Sequence, residues 1–378
     1  MKIVIAPDKF KGSLSSLDFC SAVEEGINRI SKQLEILKLP LADGGDGTIE
    51  IVNYYLGGTV IKIEVNNPLF QPITASYLYA ESSQTAFIEM AEASGLWLLM
   101  EEERDCKNTT TYGTGEMILD AIQKGAKKII LGIGGSATND CGIGMATALG
   151  YKFLDENNRE LKPIGANLSR ICRIDNSNVA SKLFQIEFQI ACDVNNPLYG
   201  KNGAAHVYAE QKGASKEEIA MLDFGLKSFS EVLTAQYNVH PQTIKGAGAA
   251  GGMGIAVIVF LKAKLESGIQ VVKELANFDS QIADADWIIT GEGKLDNQTL
   301  SGKTIDGVLK SAKTYNIPVA VFCGQIDLDK DVLQNFGISY AEDVISISTD
   351  LKDSLTSSYK HLSTIAETFA KKVVGSEK

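Results

Sequence analysis

Arginine and histidine are scarce in this chain. Its 36 Lys+Arg residues include only five arginines (Arg29, Arg104, Arg159, Arg170 and Arg173), and it has three histidines, His206, His240 and His361. The histidines are far apart in sequence, which argues against a His-based metal centre or a Ser-His-Asp triad. Proton transfer is left to carboxylates or lysines. With so little arginine, anionic groups must be clamped mainly by lysine, a point charge without a bidentate fork. Positive charge is short overall: 47 Asp+Glu give a net charge of −11, which excludes nucleic acid and anionic membranes as natural partners. The six cysteines show no CxxC spacing, so they read as free thiols in a reducing, cytoplasmic compartment. Long apolar runs are missing too. The longest, Ile255–Leu261, is far below membrane-spanning length, and the four apolar residues before Pro7 are too few for a signal-peptide core.

What the chain does have is glycine-rich loops set at the ends of apolar strands. Its 378 residues, 44% hydrophobic, suggest two domains. Lys2–Ala6 reads as a strand followed by the loop Pro7-Asp8-Lys9-Phe10-Lys11-Gly12-Ser13. A helical stripe then runs from Leu14 to Leu34, with Ser15 and Asp18 placed as a capping box. Leu34–Ala42 reads as a second strand leading to Asp43-Gly44-Gly45-Asp46-Gly47-Thr48 and a helix from Ile49 to Leu56. Two carboxylates among three glycines suit either Mg²⁺ binding or acceptance of a proton from a substrate hydroxyl.

The texture then changes. Thr59–Val65, Ile73–Ala80 and Thr85–Met90 alternate as an antiparallel meander, the entry to an inserted domain. Thr109–Glu116 opens a helix that runs to Gln123. The stretch Leu131–Gly150 holds six glycines in twenty residues, together with Ser136, Thr138, Asn139 and Asp140. Glycine lets backbone N–H groups approach an anion, and a following helix would aim its N-terminus at the same place. Gln185–Cys192 is a strand ending at Asp193. Ser215–Leu233 is an amphipathic helix, and Gly246–Gly252 leads into an apolar helix from Met253 to Leu265.

From Asp286 the first texture returns: strand Trp287–Thr290, the loop Gly291-Glu292-Gly293-Lys294-Leu295-Asp296-Asn297-Gln298, a helix to Tyr315, and strands at Pro318–Cys323 and Asp343–Ile347. The expected fold is therefore α/β. A doubly wound parallel sheet, Rossmann- or flavodoxin-like, spans residues 1–60 and 282–378, interrupted by an inserted mixed α/β lobe at 61–281. The strand-end loops of the first lobe should meet on one sheet edge, with the active site in the cleft between the lobes.

Two stretches resemble the dinucleotide fingerprint. Gly132–Ala137 fits its relaxed form after a strand, and Gly246–Gly251 fits G-x-G-x-x-G but follows His240 and Pro241 where a strand should be. Gly302-Lys303-Thr304 lacks the earlier glycine of a P-loop. A dinucleotide site uses one such turn, whereas this chain has at least five loops of this kind. That excess suits a nucleoside triphosphate with its metal plus a second small anion, because phosphoryl transfer needs positioning, cation clamps and a proton acceptor.

Taken together the loops resemble the bacterial class-I glycerate kinases: APDKFKGSLSS at 6–16, ADGGDGT at 42–48, GTGE at 113–116, GIGGSATND at 132–140, DVNNPLYG at 193–200, GAGAAGGMG at 246–254 and GEGKLDNQTLSGK at 291–303. These motifs span the chain in order. Cys141 departs from the pattern, standing where members usually have glycine, and so bears on whether that turn takes a positive φ. The resemblance implies ATP-dependent phosphorylation of D-glycerate on the 2-hydroxyl, with Mg²⁺, in a two-lobed α/β structure.

On this reading Lys9, Lys11 and Ser13 bind the glycerate carboxylate or the moving phosphate. Asp43 and Asp46 supply the base or a metal ligand, with Asp193 and Asp296 as competing metal ligands. Gly134, Gly135, Ser136, Thr138 and Asn139 donate to phosphate, and Glu292 and Lys294 complete the site. The alternatives are a nicotinamide-dependent oxidoreductase of a small hydroxy acid, the same kinase giving 3-phosphoglycerate, and a non-catalytic nucleotide sensor.

Overall fold

Hydrophobic alternation in the first strand sets the architecture of one half of the molecule. In the computed structural model, which describes residues 1–45, 47–296 and 304–375, Val4 and Ala6 enter one apolar cluster while Ile3 and Ile5 enter another. A strand apolar on both faces must be covered on both, and it is. The chain divides into two compact units, unit 1 comprising Met1–Tyr55 with Gly268–Lys378 and unit 2 comprising Leu56–Ser267.

Unit 1 carries a five-stranded sheet in the spatial order Ile338–Asp343, Val319–Cys323, Trp287–Thr290, Lys2–Ile5, Glu35–Lys38, with every neighbouring pair parallel. Helices Ser16–Asn28 and Ser358–Gly375 cover one face through Phe19, Val23, Leu362 and Ile365. They approach closely at Gly26, where a Cβ would lie 2.1 Å from the Ser363 carbonyl oxygen. Thr48–Leu56, Gly268–Leu275 and Thr304–Tyr315 cover the other face through Ile51, Ile269 and Val308. This is the doubly wound sheet that the alternation of strands and helices predicts. The Ser15–Asp18 capping box forms as the sequence indicates, but its helix stops at Asn28.

Unit 2 is built on a six-stranded mixed sheet in the order Lys264–Glu266, Glu187–Ala191, Lys128–Gly132, Thr85–Glu89, Pro72–Ala80, Thr59–Asn66. The last three strands pair antiparallel. From Thr85–Glu89 onward the pairing is parallel, with Tyr112–Gln123 as the crossover helix between Thr85–Glu89 and Lys128–Gly132.

Three expectations are corrected. The apolar helix ends at Leu261, where Lys262 takes φ 55°, and Lys264–Glu266 becomes an edge strand. The last strand is Ile338–Asp343, and Ile345–Ile347 is a 3₁₀ turn. Gly268–Leu275 and Phe278–Ile282 belong to unit 1, because Ile269, Val272, Phe278 and Ile282 pack into its core.

Candidate active site

Sheet order places the loops of unit 1. The first strand lies between Glu35–Lys38 and Trp287–Thr290. The chain winds one way from it and the other way from Trp287–Thr290, so the switch point falls between those two strands, where open α/β sheets bind ligands. Backbone pairing carries past the strand ends: the Asp8 N–H donates to the Gly291 carbonyl at 2.8 Å, and the Leu41 N–H to the Pro7 carbonyl at 2.8 Å. The loops after all three strands therefore stand side by side, as expected.

Asp8 sits at the centre of this edge and is only 8% exposed. One carboxylate oxygen accepts the Lys9 N–H at 2.7 Å and the other the Thr304 hydroxyl at 2.7 Å. Burial pushes its pKa up to about 6 against the opposing Thr304 hydrogen bond, and the negative charge of Asp43 adds to the rise. Asp43 is half-buried and accepts the Gly45 N–H at 3.0 Å. Lys9 runs its side chain along Gly47, where a Cβ would lie 3.3 Å from Nζ. The positive φ of Gly47, 86°, and its missing side chain together let the amine lie there. Lys11 is exposed, and Gly293 lies over its backbone nitrogen at 3.3 Å from a notional Cβ.

The other expected residues of unit 1 divide. Glu292 is buried. Lys294 forms an ion pair with Asp327 at 2.7 Å on the surface. The Ser13 hydroxyl meets that of Ser358, so it has a protein partner rather than an open face. Asp296 is half-buried after Leu295. Asp46, and Asn297–Lys303 of the last motif, lie outside the described residues. Sequence reasoning missed Asp8 and Thr304. It weighed the lysines of the DKFKGS loop, and the available signal was that Asp8, like Asp43, is an acid closing a strand.

In unit 2 the stretch after Lys128–Gly132 runs beside residues 94–96. The Ala137 N–H donates to the Ser94 carbonyl at 2.9 Å, and the Leu96 N–H to the Gly135 carbonyl at 2.9 Å. Gly134 and Gly135 are exposed, and Gly135 takes φ 70°. Ser136 is 6% exposed, and its hydroxyl accepts from Lys212 Nζ at 2.7 Å; the same ammonium donates to the Thr138 carbonyl at 2.8 Å. Lys212, 3% exposed on the Glu210–Lys212 turn, is a second residue that the sequence did not reveal. The Thr138 hydroxyl and both polar atoms of the Asn139 side chain are buried without a hydrogen-bond partner among the described residues.

The polar end of this stretch works differently from the expectation. Asp140 is fully buried and accepts from Thr111 N–H (2.8 Å), Thr111 hydroxyl (2.8 Å), Gly142 N–H (3.1 Å) and Gly144 N–H (3.2 Å). The following helix is only Ile143–Ala148, and the donors at its start are taken by this carboxylate. The helix N-terminus is thus closed from within and does not face a ligand.

Cys141 takes φ 49°. The turn does require a left-handed residue there, and the chain accepts that strain with a side chain present. Its N–H donates to the Gly251 carbonyl at 3.0 Å, and its thiol to the Gly252 carbonyl at 3.6 Å. Ala250, Gly251 and Gly252 are all left-handed, forming a turn that fits against residues 138–141. A Cβ on Gly251 would lie 2.2 Å from the Thr138 carbonyl oxygen. The Gly246–Gly251 pattern is therefore a packing surface. His240 precedes the 3₁₀ turn Pro241–Thr243, with no strand there, and the helix after Gly132–Ala137 starts only at Ile143. Neither fingerprint-like stretch has the strand–turn–helix context of a dinucleotide site. Asp193 is exposed beyond the strand Glu187–Ala191.

Lysines and glycine turns beside a buried carboxylate on the edge of an α/β sheet suit small anionic ligands. The glycerate kinase family model matches residues 3–374. A glycerate kinase of Bacillus subtilis is 40% identical over 378 residues, covering 100% of this chain and 98% of that protein. The glycerate 2-kinase of Escherichia coli is 42% identical over 362 residues, covering 96% and 95% respectively. A crystal structure of a Salmonella typhimurium LT2 protein described as a glycerate kinase 2 superposes with a TM-score of 0.89 at 40% identity, covering 100% of this chain and 99% of that one. The chain belongs to the glycerate kinase family.

Proposed function

We propose that this enzyme transfers the γ-phosphate of ATP to the 2-hydroxyl of D-glycerate, giving 2-phosphoglycerate. The observation that carries the reading is the convergence of three strand-end loops around Asp8, with Lys9, Lys11 and Asp43 beside it on one sheet edge. Support for the 2-position comes from the E. coli relative, whose name specifies it. Lys9 and Lys11 hold the carboxylate or the moving phosphate. A carboxyl group whose pKa lies near neutrality is a better proton acceptor than an ordinary one. Asp8 therefore joins Asp43 and Asp46 as a candidate acceptor of the hydroxyl proton. In unit 2, Gly134, Gly135 and Ser136 donate to phosphate oxygens.

Mg²⁺ accompanies ATP in this reading, because phosphoryl transfer needs the developing charge neutralised. Among the described residues no group of three His, Cys, Asp or Glu side chains is arranged to hold a metal. Asp193 lies in unit 2 and Asp296 in unit 1, and no step is assigned to the ion. Mg²⁺ commonly relies on phosphates, water and only one or two carboxylates. Free thiols and the absence of a helix long and apolar enough to cross a membrane among the described residues support a cytoplasmic location.

A coupled assay of ADP release with D-glycerate tests the reaction, and phosphorus NMR of the product tests the position. Product carrying phosphate on the 3-hydroxyl, or no ADP release with D-glycerate, would overturn it.

A further inference from the structure

Lys212 belongs to no glycine-rich motif, and the phosphotransfer reading makes no use of it. Its ammonium is nevertheless enclosed directly behind the loop Gly134–Thr138. It reaches Ser136 Oγ at 2.7 Å and the Thr138 carbonyl at 2.8 Å. It makes no ion pair among the described residues, and Asp140, the carboxylate whose charge acts on it, spends its oxygens on Thr111, Gly142 and Gly144. Burying an ammonium against neutral oxygens costs several kcal/mol. Burial accordingly draws its pKa down to about 8, with Cys106 and Asp140 opposing. A purely structural contact at this position could be made by a neutral side chain at less cost.

The hydrogen-bond direction is informative. Lysine has only donors to offer, so Ser136 Oγ must accept from it. The Ser136 hydroxyl hydrogen is then left to point elsewhere, and no described contact takes it. Ahead of Ser136 stand the exposed Gly134 and Gly135, and beyond it the Thr138 and Asn139 side chains are buried with polar atoms that have no partner among the described residues. A hydroxyl that accepts from a cation is a stronger donor to an anion.

We propose that Lys212 is a positioning residue for phosphate binding: from behind the loop it orients and polarises the Ser136 hydroxyl toward a phosphate of the nucleotide, and supplies positive charge to the loop without touching the ligand. This rests on the reading of Gly134–Ser136 as a phosphate loop. The ligand class is a nucleoside di- or triphosphate, and the carboxylate of the small acid is the competing source of the same chemistry.

The test is a pair of variants and their combination, assayed by steady-state kinetics and by calorimetric titration with ADP. Lys212→Gln keeps N–H donors but removes the charge, and Ser136→Ala removes the relay. Each should raise the KM for ATP by about tenfold to a hundredfold, the range for a hydrogen bond to a charged group, and leave the KM for D-glycerate within about twofold. The double variant should be close to Ser136→Ala alone and well short of the product of the two single effects, because the lysine acts through the serine. If Ser136→Ala binds ADP normally, the phosphate-loop reading fails. If Ser136→Ala weakens ADP binding while Lys212→Gln does not, only the role of Lys212 fails. A KM rise confined to D-glycerate overturns the nucleotide assignment. Should Lys212→Gln not fold, Lys212→Met is titrated with ADP at low temperature, and unaltered affinity in its folded fraction overturns the proposal.

Discussion

The Thr304 hydroxyl donates to the Asp8 carboxylate at 2.7 Å across 296 positions of sequence. One residue lies in the loop after the first strand, Lys2–Ile5, and the other begins the helix Thr304–Tyr315. They meet because Lys2–Ile5 and Trp287–Thr290 are neighbours in one sheet, although Leu56–Ser267, between them in sequence, forms a separate unit. The bond holds the Asp8 side chain in place on the edge where the lysines gather.

Asp8→Asn should fold and lose turnover. The amide oxygen can still accept from the Lys9 N–H, and the amide nitrogen can donate to the Thr304 hydroxyl, so both contacts survive. Removing a carboxylate held near pKa 6 should stabilise the protein at pH 7.5 by about 1–3 kcal/mol, the linkage value of the shift. If Asp8 accepts the substrate proton, kcat should fall by about 10² or more. Urea denaturation and steady-state kinetics on the same preparation check both, and a variant that is more stable and fully active removes Asp8 from catalysis.

The same group predicts the direction of a pH effect. Its ordinary pKa is 3.8 and its folded value is about 6. Between these values the folded protein retains a proton that the unfolded chain has released. The Asp8 contribution to stability is therefore full below pH 3.8, declines as pH rises through this window, and is gone above about pH 6. The stability advantage of Asp8→Asn over the parent should be larger at pH 7.5 than at pH 4.5. If Asp8 is the proton acceptor, activity should run the other way, with kcat/KM falling as pH drops below about 6, where its carboxylate becomes protonated.

Asp140→Asn should damage folding rather than binding. The amide oxygen can replace only one carboxylate oxygen: at the Oδ2 place it keeps the Thr111 and Gly144 donors, and the amide nitrogen then faces the Gly142 N–H, which loses its acceptor. Leaving buried donors unpaired costs about 1–3 kcal/mol each before relaxation. A loss of about 1–3 kcal/mol in urea denaturation is expected, and an unchanged stability would show that these contacts are not what holds this loop.

Thiol chemistry should separate the cysteines. Cys172 is exposed, whereas Cys20, Cys106, Cys141 and Cys323 are buried, and burial raises the pKa of each of these four. The thiolate is the reactive form, so Ellman's reagent should label Cys172 first and reach Cys141 only on unfolding. Cys141→Gly should change stability by about 1 kcal/mol or less, since relief of the left-handed backbone offsets the lost buried side chain.

Much of this protein could be read from its residues because the relevant signals are local. The alternation of Ile3, Val4 and Ile5, the Ser15–Asp18 box and the glycine turns after each strand are consequences of backbone sterics and hydrogen bonding within a few residues. They establish a parallel α/β sheet with its loops on one edge, and the order of the motifs identified the family. Errors arose where local preference met a long-range partner. Leu265 looks helical by composition, yet it pairs with Ile190 at a sheet edge.

The assignment of charged and polar residues to jobs was decided only by the tertiary structure. Asp140 and Asp8 are both acids in loops that follow a strand, and no spacing rule separates them. One is enclosed by four donors and locks a loop, while the other stands at the switch point of a sheet with lysines about it. Lys212 carries no motif and is found only because folding buries it beneath Ser136. Burial and hydrogen-bond partners come from residues distant in sequence, and they determine whether a polar side chain serves the fold or the ligand.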